Sequence, residues 1–252
     1  MTPISLQLYA LRESAEVDLP GTLKKIADIG YMAIETAGLH GKQPAEVKKM
    51  LDDVGLVMSS AHIPNLRPET VPYAIEMCKA MDFNKVQVGT TPTAFKTLDG
   101  IKGEAERIQE IACMLKPHDI ILGVHNYYNE FDPIDGRYPY DFLMDQTPDI
   151  YCEVDMYWAS NFGKTDVPAV ISKYKHRVRV LHVKDGPLTS DEAPQTAVGK
   201  GKMNIPACIN ATDPNVLEWL VVELDDCATD MLEAVRDSYI YLTSNGFAKG
   251  NK

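Results

Sequence analysis

The chain has 252 residues and a formal charge of −11, with 45% hydrophobic and 24% charged residues. That length and balance describe a globular protein with one large core or two small ones, and the acidity argues against a nucleic-acid backbone as the main partner. No apolar run approaches the roughly 20 residues a membrane span needs, and five scattered cysteines without a CxxC pair suggest reduced thiols rather than a disulfide frame.

Read in chain order, short β runs alternate with helical patterns. The expected strands are Ile4–Leu11, Ala33–Thr36, Val57–His62, Lys85–Val88, Ile120–His125, Ile150–Asp155, Val178–Val183 and Trp219–Leu224. Between them lie amphipathic helices at Leu19–Ile29, Pro44–Val54, Glu69–Met81, Gly103–Leu115, Val167–Tyr174 and Asp230–Leu242. The first of these lines up Leu23, Ile26 and Ala27 on one stripe, and the second Val47, Leu51 and Val54. Gly30, Gly55 and Asp82 follow helical patterns, where tolerance of positive φ is useful, and Pro44 and Pro168 sit near helix starts. Such alternation implies parallel strands with right-handed crossovers. About eight units in this length predict a single (β/α)8 TIM barrel spanning residues 1–252. A doubly wound sheet would want a Gly-rich loop after the first strand, whereas Arg12–Asp18 is acidic.

In a parallel barrel, chemistry is assembled at the C-terminal strand ends. Three consecutive strands end there on a potential metal ligand: Asp155, His182 and Glu223. Mixed oxygen and nitrogen donors without cysteine suit one divalent metal ion, Mn²⁺, Zn²⁺, Co²⁺ or Mg²⁺. His125 closes the preceding strand and is the expected fourth ligand, with Glu130 competing for that place or orienting it. Glu35 and His62 end two earlier strands and are expected to meet substrate hydroxyls. Lys184 would meet an anionic or hydroxylated substrate or pair with Asp185. Trp158, Tyr127 and Tyr157 would wall a pocket with aromatic faces. The loop Val198–Asn204 lacks phosphate-loop spacing, although Lys200 on it is within reach of a site at the barrel mouth.

The same residues carry a family resemblance. Gly30–Glu35, Ser60–His62, Val124–Asn126 through Glu130-Phe131, Glu153–Trp158, Leu181–Asp185, Val198–Gly201 and Trp219–Glu223 resemble, in that order, the xylose isomerase-like TIM barrels. The resemblance to this sugar phosphate isomerase/epimerase superfamily spans nearly the whole chain. It implies one divalent metal at the ends of strands five to eight. In ketose 3-epimerases of the superfamily the ligands run Glu, Asp, His, Glu, and the two glutamates exchange a proton with the substrate carbon. Asp155, His182 and Glu223 fall on the last three places, and His125 falls on the first, a departure.

The expected activity is therefore metal-dependent sugar or sugar phosphate isomerisation or epimerisation through an enediolate, with Glu223 and His125 as the proton-transferring pair. A dehydratase or lyase acting on a keto-sugar or cyclitol by β-elimination is the second enzyme reading, and a non-catalytic sugar-binding barrel the third. The expected partner is a small-molecule carbohydrate, with neither nucleic acid nor membrane. The N-terminus lacks the pattern of a signal peptide, so a cytoplasmic location is expected, and an acidic helical exterior is compatible with a homo-oligomer.

Overall fold

A computed structural model describes all of residues 1–252. Nine strands form one sheet: β1 Thr2–Gln7, β2 Ala33–Ala37, β3 Val57–His62, β4 Lys85–Gly89, β5 Ile121–His125, β6 Tyr151–Asp155, β7 Val178–Val183, β8 Trp219–Val222 and β9 Ala248–Lys249. The first eight pair in sequence, all parallel, and β1 also pairs with both β2 and β8, which closes the sheet into a barrel. The short β9 adds to β1 at the rim through Thr2 and Pro3. The expected (β/α)8 barrel is thus the observed fold.

Helical segments lie between the strands and cover their outer faces. The helix Leu19–Ile29 buries Leu19, Leu23 and Ile26, and Pro44–Val54 buries Val47 and Leu51, while Ala27 and Val54 of the expected stripes are half-buried. Gly30, Gly55 and Asp82 do take positive φ, at 121°, 76° and 57°. Pro44 and Pro168 occupy the first helical turns of their segments, where a missing N–H costs nothing.

Several boundaries differ from the sequence reading, and three of them have a clear local reason. The first strand ends at Gln7, and Leu8–Leu11 continues as a 3-10 turn capped by the Gln7 side chain. The acidic segment after it is helical over Arg12–Val17. The third crossover helix runs Val71–Met81, because Pro68–Thr70 forms a separate 3-10 turn, and the fourth starts at Leu98, capped by Thr97. Short helices at Pro139–Gln146, Met156–Ala159 and Ile205–Asn210 carry too few turns to display a period. No helix is long and apolar enough to cross a membrane.

Strand residues alternate between two environments, as the pleat requires. Ile4, Leu6, Ile34, Val86, Leu122, Val124, Val154, Leu181, Leu220 and Val222 face the helices and belong to one cluster of 65 buried apolar residues. The other parity faces the lumen. Its lower end is filled by a small apolar plug of Tyr151, Val180 and Val221, flanked by Ile121 and Trp219. Gly123 faces this plug, and a Cβ there would lie 2.4 Å from the Tyr151 ring, so the aromatic needs a glycine opposite it. Above the plug the lumen turns polar.

Candidate metal centre

Two groups of side chains occupy the upper lumen, each with four ligand atoms within 4.8 Å of one another: His125, Asp155, His182 and Glu223, and then Glu35, His62, Glu153 and His182. The expected four-residue set is therefore assembled in space. The register puts Asp155 beside His182, and His125 beside Glu153, across neighbouring parallel strands.

In the first group, His182 presents Nδ1 to Glu223 Oε2 at 2.8 Å and Nε2 to Glu35 Oε1 at 2.7 Å. His125 Nε2 lies 3.5 Å from Asp155 Oδ2 and 3.8 Å from Glu223 Oε2, too far for a hydrogen bond with either. His125 Nε2 is buried without a hydrogen-bond partner, and Asp155 Oδ2 is held only by its ion pair with Lys184. Buried polar atoms are normally satisfied, so an orphaned imidazole nitrogen converging with a second imidazole and two carboxylates fits a cation-binding site. The other Asp155 oxygen is committed, since Oδ1 accepts from the Trp158 N–H and caps the short helix Met156–Ala159. The Asn126 side chain clamps the same backbone, accepting from Asp155 N and donating to Asp155 O.

Lys184 follows on β7's inward parity and is wholly buried. Its Nζ lies 3.0 Å from Asp155 Oδ2, 3.0 Å from Glu223 Oε2 and 2.8 Å from Asp225 Oδ2, and sits 5.3 Å from the centre of the Trp158 ring. Burial alone would depress the amine, but these carboxylates hold its pKa well above the usual lysine value. Burial likewise pushes Glu223 and Asp155 up, and Lys184 with the neighbouring histidines more than offsets it. Both are therefore carboxylates, the form a cation needs. Lys184 does not pair with Asp185. The latter accepts from the backbone N–H groups of Gly186, Gly199, Gly201 and Met203, so the loop Val198–Asn204 is moulded around a carboxylate, with Lys200 exposed.

The residues expected to bind substrate fall in different places. His62 lines a cavity of 520 Å³ with Gln87, Tyr127, Asn65 and Arg67, so it faces open space beside the His125–Asp155–His182–Glu223 group. Tyr127 forms part of that wall and packs edge-on against His125 at 5.2 Å. Trp158 is 9% exposed and forms an aromatic cluster with Tyr128, Tyr157 and Phe162. Glu35, by contrast, is fully buried below the rim. It accepts from Gln7, Ser60 and His182, and its carboxylate faces the histidines. Glu130 lies outside both ligand groups. It accepts from the Tyr127 N–H and the Thr90 hydroxyl, which fixes the loop after β5, and burial raises its pKa. Of the two candidates for the fourth ligand, His125 is the one placed with the other three.

Glu153, Gln87, Gln7 and Asp225 were not singled out from the sequence. Glu153 precedes Asp155 by two residues and Asp225 follows Glu223 by two, so strand parity alone puts each pair on one face. Gln87 donates to Glu153, and Gln7 to Glu35, across the lumen. Only the closed barrel brings these residues together.

No family model and no curated protein sequence matches the chain. Solved structures do share its fold. A sugar phosphate isomerase/epimerase from Parabacteroides distasonis ATCC 8503 superposes with a TM-score of 0.78 at 24% identity, over 98% of this chain and 96% of that one. An IOLI protein with a bound zinc atom gives 0.75 at 12% identity, over 98% and 100%. An L-ribulose 3-epimerase gives 0.73 at 16% identity, over 97% and 94%. The chain thus shares the (β/α)8 barrel fold of these proteins.

Proposed function

We propose that this protein is a metal-dependent sugar isomerase or epimerase working by proton transfer at carbon. The observation that carries the reading is the unpartnered, buried His125 Nε2 converging with Asp155, His182 and Glu223 at the barrel mouth. His125, Asp155, His182 and Glu223 would hold one divalent cation, Mn²⁺, Zn²⁺, Co²⁺ or Mg²⁺. Bound there, it would acidify the C–H next to a substrate carbonyl by drawing charge onto oxygen.

The protein's own groups supply the rest. Glu223 has Oε2 engaged by His182 and Lys184, which leaves Oε1 to accept the proton from carbon and return it. Lys184 keeps Glu223 and Asp155 ionised. His182 has its second nitrogen held by Glu35, which fixes the ring's orientation. His62 and Tyr127 would contact sugar hydroxyls from the cavity side, and Trp158 would close the opposite side of the mouth. A single carboxylate base suits transfer between adjacent carbons, the step of an aldose–ketose isomerase.

A second reading has one observation in its favour. Where a two-carboxylate epimerase places a second glutamate, this chain has His125, and an imidazole can protonate a departing hydroxyl in a β-elimination. Incubating the Mn²⁺-loaded protein in D₂O with a panel of ketoses, aldoses and keto-cyclitols separates these outcomes. Deuterium in a recovered sugar without loss of water supports isomerisation, while loss of water supports the lyase. Neither deuterium uptake nor water loss across the panel would overturn both and leave a non-catalytic barrel.

A further inference from the structure

We infer that the barrel holds a second divalent-cation seat below the first, formed by Glu35, His62, Glu153 and His182. On β6, Glu153 lies two residues before Asp155, about 6–7 Å deeper along the strand. His62 Nε2 lies 2.6 Å from Glu153 Oε2 and 3.2 Å from Glu35 Oε1, and His182 Nε2 lies 2.7 Å from Glu35 Oε1 and 3.4 Å from Glu153 Oε1.

Hydrogen bonding partners each of these groups but leaves two of the four close approaches as secondary contacts. Each Nε2 faces two carboxylates, yet one N–H points at only one acceptor at a time, so the 3.2 Å and 3.4 Å contacts are left as poor bonds. A cation at the centre has no such direction and engages all four atoms. With ligand bonds of about 2.0–2.2 Å, a tetrahedral zinc site has ligand–ligand edges of about 3.3–3.5 Å, close to the longer contacts here. Two imidazoles and two carboxylates with no free position describe a closed zinc site, and magnesium, which prefers six oxygens, fits poorly.

Two further features match what a metal seat needs. The carboxylates are oriented by donors from other strands: Gln7 on Oε1 and Ser60 on Oε2 of Glu35, and Gln87 on Oε1 of Glu153. His62 also borders the 520 Å³ cavity, which gives an ion a route to an otherwise sealed layer. One Zn²⁺ would match the charge of the two buried carboxylates, Glu35 and Glu153. With both seats filled, His182 gives Nδ1 to the upper ion and Nε2 to the lower, releasing its ring proton to solvent.

The seat shares His182, His62 and Glu35 with the reading above, so its test counts bound ions rather than turnover and the two fail separately. The metal-stripped full-length protein is loaded with Zn²⁺, passed through a desalting column and analysed for zinc per chain. The expected result is two ions in the wild type and one in both Glu153→Gln and Asp155→Asn, with loss of both in His182→Ala. Because Glu153→Gln is a buried change, His62→Gln at the cavity edge repeats the test and should also leave one. Cobalt in place of zinc should give the intense visible absorption of a tetrahedral site in Asp155→Asn, and lose it in His62→Gln. One ion per chain, unchanged by Glu153→Gln and His62→Gln, overturns the inference and leaves the upper site standing. One ion removed only by those two variants supports the lower seat and overturns the upper.

Discussion

On β5, Leu122 and Val124 point outward into the apolar layer under the helices, while Gly123 and His125, one residue away, point into the lumen. β6 repeats the contrast, with Cys152 and Val154 outside and Tyr151, Glu153 and Asp155 inside. The outer layer is one continuous hydrocarbon interface in which each side chain is interchangeable with another of similar volume. The upper lumen is a set of charges that are buried only because each has a named partner. Stability and chemistry therefore share strands but not faces, and a substitution should tell the two apart.

The sharpest separation is expected at Glu223. Glu223→Gln keeps the shape and removes the base, so turnover should fall by about 10²–10⁴-fold while the far-UV circular dichroism and melting curve stay near those of the wild type. Near-normal activity would sink the base assignment.

Lys184→Met tests whether the lumen charges hold one another. It leaves Asp155, Glu223 and Asp225 without their shared cation and should destabilise the metal-free protein by about 3–5 kcal/mol in urea unfolding. Added Mn²⁺ should recover much of that loss, because an ion at the same carboxylates replaces the ammonium. A loss that metal does not touch would show that Lys184 acts by packing alone.

Leu122→Ala probes the outer face. It is 1% exposed, and removing its methyls should cost about 2–5 kcal/mol with little change in metal stoichiometry. Altered metal content in a folded Leu122→Ala protein would break the proposed division between the faces.

A smaller effect should appear with pH. Burial pushes His62 down, but Glu153 and Glu35 raise it to about 10. A raised histidine contributes stability that is fully present below its unfolded value of about 6.5 and lost as pH rises through about 10. The urea midpoint of the chelator-treated protein should therefore decline between those limits, and less steeply in His62→Gln. Identical slopes in the two proteins would contradict this. The smallest change is expected outside both regions. The Lys49–Asp53 helix pair is exposed, and Lys49→Ala should shift stability by no more than about 0.5 kcal/mol.

The amino-acid sequence by itself determined the eight βα units, because apolar period is a local property that survives without knowledge of neighbours. It also placed Asp155, His182 and Glu223 at strand ends, where a parallel barrel gathers its chemistry. Lumen residues inside the runs, such as Glu153 and Gln87, stayed unread, since a polar residue in a strand announces a side of the sheet but not what lies across it. Tertiary structure alone decided three things. It put His125 rather than Glu130 beside Asp155, His182 and Glu223, because Glu130 is spent on its own loop through Thr90 and Tyr127. It buried Glu35 against His182 instead of exposing it at the rim. It placed Lys184 among three carboxylates from two other strand ends. Each outcome depends on side chains meeting from residues far apart in sequence. Closure of the barrel sets those distances, and no pattern along one strand encodes them.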